Sequence, residues 1–457
     1  MVRGAGEILL IACYEMGHQP LAVAWPAAFL ERAGYAPAVL DLSVEPLDPE
    51  KIRRARLVAI SVPMHTALRL GVRVAARARA LNPEVRLVFY GLYAALNADY
   101  LIRETGATAV VAGELEGELV QLARRLESST PDAAAGGRVT VIDKLDFATP
   151  SRAALPSLKK YAHLDRGGSL ELVAYVEASR GCKHTCRHCP IPPVYGGRFF
   201  VVPVEVVRAD VRQQVAAGAT HVSFGDPDFL NGPGHALAVA RALHAEFPTL
   251  TFDFTAKIEH LLRRRRHLPE LAALGCLFIV SAAESLDDRV LAILDKGHTG
   301  ADVVAALEAT RSAGIALRPT WVAFTPWTTL EGYRAWLDFL EEAELLDAVD
   351  PVQYGLRLLV PPGSLLLEHE AMRPHLGRLV AESFYHEWTH PDPRMDMLQR
   401  AVSQAAAAAA DRREDPAATF YRVRGLAGVA AGLPVRPAPT GASSRSRVPR
   451  LTEPWFC

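Results

Sequence analysis

The sequence predicts an α/β protein in two parts: an N-terminal doubly wound parallel sheet, then a partial (β/α)6 barrel of the TIM type, followed by a helical C-terminal region. Three observations carry this expectation. Apolar runs of strand length alternate with amphipathic runs of helix length through residues 7–126, and again from 171 to about 360. Glycines stop several of the helical runs, at Gly34, Gly218, Gly275 and Gly314. Three cysteines, Cys182, Cys186 and Cys189, follow directly on the first strand of the second series. Barrel enzymes carry their reactive groups at such strand ends.

Composition narrows the class. At 457 residues the chain is long enough for about three domains. Its 50 Lys+Arg balance 51 Asp+Glu, so no net field advertises a nucleic-acid partner. The run Arg263–Arg266 reads as a solvated helix start. The N-terminus enters a strand-like segment without a signal-peptide layout, and no uncharged apolar run approaches the roughly 20 residues of a membrane helix. Six cysteines, three of them clustered, do not make a disulfide framework. A cytoplasmic, membrane-free protein with reduced thiols is expected.

Taken in order, residues 1–127 form the first domain. Strands are expected at Glu7–Tyr14, Ala36–Leu42, Leu57–Val62, Val85–Tyr90 and Ala107–Ala112. Helices are expected at Leu21–Ala33, Leu68–Leu81, Ala94–Thr105 and Glu116–Glu127. Ligands on such sheets sit at the carboxyl ends of the strands, which here carry Glu15, His18, Ser61, His65, Gly91 and the Gly113–Glu116 stretch. Ser128–Gly137 reads as a loop, within a connector spanning 128–170. The barrel, 171–360, takes strands at Glu171–Ser179, His221–Gly225, Thr251–Ala256, Cys276–Ala282, Ala316–Phe324 and Pro351–Val360. Its crossover helices are Pro203–Ala217, Gly234–Phe247, Leu262–Leu274, Ala301–Ala313 and Leu330–Glu342. Residues 361–435 read as helical, with a strong helix former in the run Ala405–Ala410. Residues 436–457 form a polar, basic tail ending in Leu451–Cys457, whose apolar side chains and terminal thiol suit docking into a pocket.

Three clustered thiolates hold three irons of a four-iron cluster and leave the fourth open to a small molecule. A zinc site, with His184 or His188 as fourth ligand, uses similar spacing. The position after a barrel strand favours the reactive cluster over the zinc.

The pattern Cys182-x3-Cys186-x2-Cys189, with the aromatic His188 before the last cysteine, resembles the radical SAM (S-adenosylmethionine) superfamily. The N-terminal layout is similar to the cobalamin-binding domain that precedes many of its members. The usual Asp-x-His-x-x-Gly cobalt-ligand motif is missing after the first strand, with His18 nearby in a different frame. The resemblance implies a [4Fe-4S] cluster on Cys182, Cys186 and Cys189, S-adenosylmethionine on the open iron, cobalamin as a possible third cofactor, and an external reductant such as flavodoxin or ferredoxin. It further implies that Gly225 and Asp226 approach the methionine ammonium of SAM. Ser281 and Glu284 approach its ribose and carboxylate, Arg318 that carboxylate, and His188 and Lys257 complete the cofactor site. The implied function is a radical SAM enzyme acting on a small molecule. Its alternatives are a cobalamin-dependent methyltransferase, alkylation of a soft element (arsenic or selenium) held by the tail, and an iron–sulfur sensing module without turnover.

The ending Leu451–Cys457 is similar to the tail of a subgroup whose members end Cys-Cys-Ala-Glu-Pro or Cys-Sec-Ala-Glu-Pro, as are Phe324–Trp327 and Pro361–Ser364. It implies a catalytic role for Cys457 and a chain that continues through a selenocysteine codon. A genomic codon after Cys457 other than TGA would rule that out.

Overall fold

A computed structural model describes residues 2–127, 137–434 and 448–453. Most of the expected loop Ser128–Gly137, much of the basic tail, and Cys457 lie outside the described residues.

The N-terminal sheet has six parallel strands: β1 (Ile8–Ala12), β2 (Ala38–Asp41), β3 (Leu57–Ser61), β4 (Arg86–Tyr90), β5 (Ala109–Gly113) and β6 (Gly137–Val141), in the order β2-β1-β3-β4-β5-β6. Every residue of β1, β3 and β5 is buried, as continuous apolar runs require when helices cover both faces. Strand β6 falls in the stretch expected to be a connector. It is an edge strand with exposed or half-buried side chains and therefore shows no apolar run. Its approach explains Gly113, whose φ is +76° and where a Cβ would lie 2.0 Å from the Val141 carbonyl oxygen. The single helix expected over Ala94–Thr105 is two, Leu92–Leu96 and Ala98–Thr105. They divide at Asn97, whose side-chain amide donates to the Tyr93 carbonyl.

The second sheet begins with β7 (His163–Asp165) and β8 (Leu170–Val176). The hairpin β9 (Ser179–Gly181) with β10 (Phe199–Val201) then encloses the cysteine loop. The sheet continues with β11 (His221–Phe224), β12 (Thr251–Thr255), β13 (Cys276–Glu284) and β14 (Ala316–Trp321). Strands β8 and β11–β14 are parallel and β7 is antiparallel. The sixth strand expected at Pro351–Val360 is reduced to one parallel bridge between Phe324 and Arg357. Pro351–Gly355 forms a 3-10 turn instead, and Gln353 Oε1 accepts the Trp321 N–H at 3.1 Å, in place of a ladder bond. The expected helix Leu262–Leu274 is interrupted, as Ile258–Arg263 and Leu268–Ala273.

Beyond the barrel, a hairpin of β15 (Leu376–Val380) and β16 (Tyr385–Trp388) precedes helices Pro393–Asp411 and Pro416–Ala430. The tail then returns to the barrel. Strand β17 (Arg450–Leu451) pairs antiparallel with β7 and completes the order β14-β13-β12-β11-β8-β7-β17. Leu451 packs with Leu164, Val173 and Phe278. Among the described residues no helix is long and apolar enough to cross a membrane.

Candidate functional site

Strand β8 ends at Val176, and the chain turns through Glu177 into the β9 hairpin before it reaches Cys182. The turn is held by Asp226, which follows β11. Its Oδ1 accepts the Ala178 N–H at 2.8 Å and its Oδ2 accepts the Ser179 hydroxyl. Burial pushes this carboxyl up to about 7 against those two donors. Gly225 precedes it because a Cβ there would stand 2.6 Å from the Tyr175 ring. Both residues expected to approach the methionine ammonium thus sit beside the entry to the cysteine loop, with the Asp226 oxygens turned to the Ala178 N–H and the Ser179 hydroxyl.

The three cysteines are free thiols in one loop, Cys182 and Cys186 buried and Cys189 partly so. Burial raises the Cys182 thiol, and raises that of Cys189 to about 12. A bound cation reverses that preference, since a thiolate on a metal is deprotonated outright. The loop is tied down at several points. Asn231 Oδ1 accepts from the Lys183 N–H, and Lys183 Nζ donates to the Asn231 carbonyl at 2.9 Å. The Arg187 guanidinium donates to the carbonyls of Ala292 and Ile293, at the C-terminus of helix Asp288–Ile293, a position that favours a cation. Ser364 donates its hydroxyl to the Arg187 carbonyl.

Glu284 ends β13 with φ +65°, after a register shift against β14. Its Oε1 lies 3.1 Å from His188 Nε2 and 3.2 Å from Lys296 Nζ. Burial alone would raise this carboxyl. Lys296 and His188 outweigh burial and hold it at about 2. The sulfurs of Cys186 and Cys189 add to the pull of Glu284 on the Lys296 ammonium, so the ion pair lies in the neighbourhood of the cysteines. No sequence signal marked Lys296. Lys257 ends β12 with its ammonium 3.6 Å from Glu259 Oε2, and Ser281 donates to the Ala256 carbonyl at 2.6 Å. The structure gives Arg318 other partners, the Asp347 carbonyl and Asp350 Oδ2, each at 3.3 Å.

A second feature was not foreseen as one site. The carboxyl ends of both sheets face a common cleft with about 220 Å³ of interior space. Glu15, Ser61, Gly91, Gly113 and Glu116 line it from the N-terminal sheet, and Tyr175, Glu177, Arg180 and Gly225 from the barrel. Arg180 bridges the two. Its guanidinium lies 2.7 Å from Glu116, 3.4 Å from Glu114 and 3.0 Å from Glu177, and covers the rings of Trp25 and Phe147. Burial pushes Glu15 up to about 8, although its carboxylate accepts the Leu21 and Ala22 N–H groups. Glu114 is pushed up to about 7 by burial, against the pull of Arg180. His18 does not belong to the lining. It stacks on Tyr175 at 4.2 Å and pairs through Nε2 with Glu453 Oε1 at 2.7 Å. His65 donates to the Ser383 carbonyl.

Residues 176–325 match the Radical SAM superfamily, and residues 8–123 match the B12 binding domain. The chain carries a radical SAM domain behind a B12-binding domain. The radical SAM domain is an enzyme domain, and it implies a [4Fe-4S] cluster and S-adenosylmethionine. The chain is 26% identical over 185 residues to the hopanoid C-3 methylase of Methylococcus capsulatus, a match covering 40% of this chain and 35% of that protein. It thus spans about a third of that relative's length. Among solved structures, the radical S-adenosylmethionine methyltransferase TsrM from Kitasatospora setae aligns with a TM-score of 0.67 at 17% identity, over 88% of this chain and 89% of that one. The cobalamin-dependent S-adenosylmethionine radical enzyme OxsB aligns with a TM-score of 0.67 at 15% identity, over 86% and 66%. These likenesses establish the fold.

Proposed function

We propose that the protein is a cobalamin-dependent radical SAM enzyme that transfers a methyl group to a small molecule, drawing electrons from an external reductant. The observation that carries this reading is the cleft between the two sets of strand ends. It joins the B12-binding match to the side of the barrel that bears Cys182, Cys186 and Cys189. The cleft's residues fit a corrinoid in chemistry. Gly91 and Gly113 are among its lining residues, and Glu116 Oε2 is a buried acceptor without a partner among the described residues, suited to the amide N–H groups at a corrin's edge. Its interior is smaller than the ~300–1,000 Å³ of common ligand pockets, so binding has to extend beyond this interior, where Trp25, Met64 and Leu92 supply apolar lining.

When bound, the three cofactors supply a one-electron donor, a cleavable carbon–sulfur bond and a methyl carrier. The chain's own residues do the rest. Cys182, Cys186 and Cys189 hold three irons. The Glu284–Lys296 pair and His188 present fixed charge near them, with Lys257 and Ser281 at the neighbouring strand ends. Arg180 keeps the acids at the cleft wall matched to a cation. The N-terminal sheet covers the barrel mouth and limits the access of water to a radical.

Anaerobic reconstitution tests the reading. A cobalamin spectrum that survives gel filtration, with formation of S-adenosylhomocysteine and 5′-deoxyadenosine from SAM, is expected. Cluster loading without cobalamin retention would leave a radical SAM enzyme of another kind. Cluster absorbance that persists after Cys182→Ala, Cys186→Ala and Cys189→Ala are combined would end the radical reading altogether.

A further inference from the structure

A group of ligating side chains beside the cysteine loop has no part in the function proposed above. His184, from the loop, faces His260, from the helix after β12, with their Nε2 atoms 3.2 Å apart. Asp228 closes the group, with ligand atoms from all three residues within 4.8 Å of one another.

The hydrogen-bond partners determine where the imidazole protons sit. Asp228 is fully buried and accepts the N–H groups of Leu230 at 2.9 Å and Lys257 at 3.3 Å. It is an acceptor, so His260 Nδ1, 2.7 Å from its Oδ2, carries the hydrogen. His184 Nδ1 lies 3.7 Å from Glu259 Oε2, too far for a hydrogen bond but close enough for a carboxylate to favour a cation at this ring. His260 thus turns an Nε2 lone pair towards His184, and in the Nδ1-protonated tautomer His184 does the same. In that tautomer two lone pairs face each other at 3.2 Å, and a cation between them turns the repulsion into coordination. A tetrahedral ion with bonds of about 2.0–2.1 Å to nitrogen spans an N···N edge of roughly 3.3–3.4 Å, close to the separation seen. A carboxylate behind a histidine is also the usual support of a metal-bound imidazole. The nearby Lys257 ammonium opposes a cation, and Glu259 offsets it.

We propose that His184 and His260 form a divalent-metal site of zinc character, separate from the iron–sulfur centre. Asp228 orients the His260 ring, Glu259 adds negative charge beside His184, and water completes the coordination. The ion clamps the cysteine loop to the end of β12. This inference stands on the geometry alone and survives a failure of the methyl-transfer reading.

The test uses the full chain with its cluster already loaded, so that the cysteines are occupied. It is equilibrated with zinc acetate, desalted, and its zinc and iron are counted by mass spectrometry. About one zinc per chain is expected beyond the cluster iron. It should be lost in His184→Gln and in His260→Asn, with iron unchanged in at least one of the two. X-ray absorption at the zinc edge should show nitrogen and oxygen neighbours only. No zinc above the level of the variants would overturn the site and leave a single shared proton between the rings. Zinc retained by both variants, or sulfur in its first shell, would overturn it equally.

Discussion

The two sheets present the same kind of parallel strand end, yet the buried acids at those ends are handled differently. At the barrel strand ends two kinds of buried acid occur. Asp226 is met by the Ala178 N–H and the Ser179 hydroxyl and is pushed up to about 7, whereas Glu284 has a cation of the barrel itself. Glu284 is held at about 2 because Lys296, twelve residues on, stands 3.2 Å away. At the N-terminal sheet the acids are pushed the other way, Glu15 to about 8 and Glu114 to about 7. The cation that answers Glu114 and Glu116 is Arg180, which comes from the barrel. The Glu284–Lys296 pair is complete within the barrel, whereas Glu114 and Glu116 are matched by a cation across the cleft. Arg152 reinforces the joint, with both Asp210 oxygens, Gln19 Oε1 and the Tyr175 carbonyl as acceptors.

The contrast is most easily broken at Arg180. Arg180→Met leaves Glu114 and Glu116 buried without their cation, a change that typically costs about 3–5 kcal/mol. Denaturant unfolding should show the midpoint fall, with partial recovery when Glu114→Gln and Glu116→Gln are added. An unchanged midpoint would mean that the N-terminal sheet does not depend on the barrel.

Lys296→Met tests the barrel pair. In the native chain the depressed Glu284 carboxyl contributes stability that is present above its ordinary value of 4.5 and is lost as the pH falls through about 2. Without Lys296 that carboxyl should rise, and acid unfolding should begin nearer neutral pH. The cost at pH 7 should be on the order of 3 kcal/mol. An acid limb that coincides with that of the unmodified chain would count against the pair.

Glu15→Gln should act with the opposite sign. The Glu15 carboxyl is raised to about 8, so the native state holds its proton more tightly than the unfolded chain does. Stability therefore falls as the pH rises from about 4.5 to 8. The glutamine should match the unmodified melting temperature at pH 5 and exceed it at pH 9, with roughly 1–3 kcal/mol between them, since a tenfold change in proton affinity corresponds to about 1.4 kcal/mol. Equal curves at both pH values would show that water reaches this carboxyl.

The smallest effect is expected at the tail. Glu453→Ala removes the contact with His18 and should cost about 1 kcal/mol or less. The hydrogen exchange of β17, which Leu451 also anchors, should rise.

Much of this was legible without coordinates. The alternation of apolar runs located five parallel strands of each sheet, because a strand covered by helices on both faces has to be apolar throughout. The Cys182–Cys189 spacing located the reactive loop, since its chemistry is local to eight residues. Edge elements were the ones missed. Strand β6 has no apolar signature because one side of it meets solvent, and the Pro351–Val360 run looked like a strand although Pro351 and Gln353 turn it into a bridge. Asp226 was legible as a site-proximal acid, and Glu284 as a strand-end one, but their partners were not.

The sequence alone determined the fold class and the position of the cysteine loop, because each rests on periodicity or on short spacing. Only the tertiary structure decided what the charges do. Lys296 near the cysteines, Arg180 across the cleft, Glu453 on His18, and His184 against His260 are all meetings of residues separated along the chain. Burial and the nearest opposite charge set the protonation of such groups, and both are properties of packing.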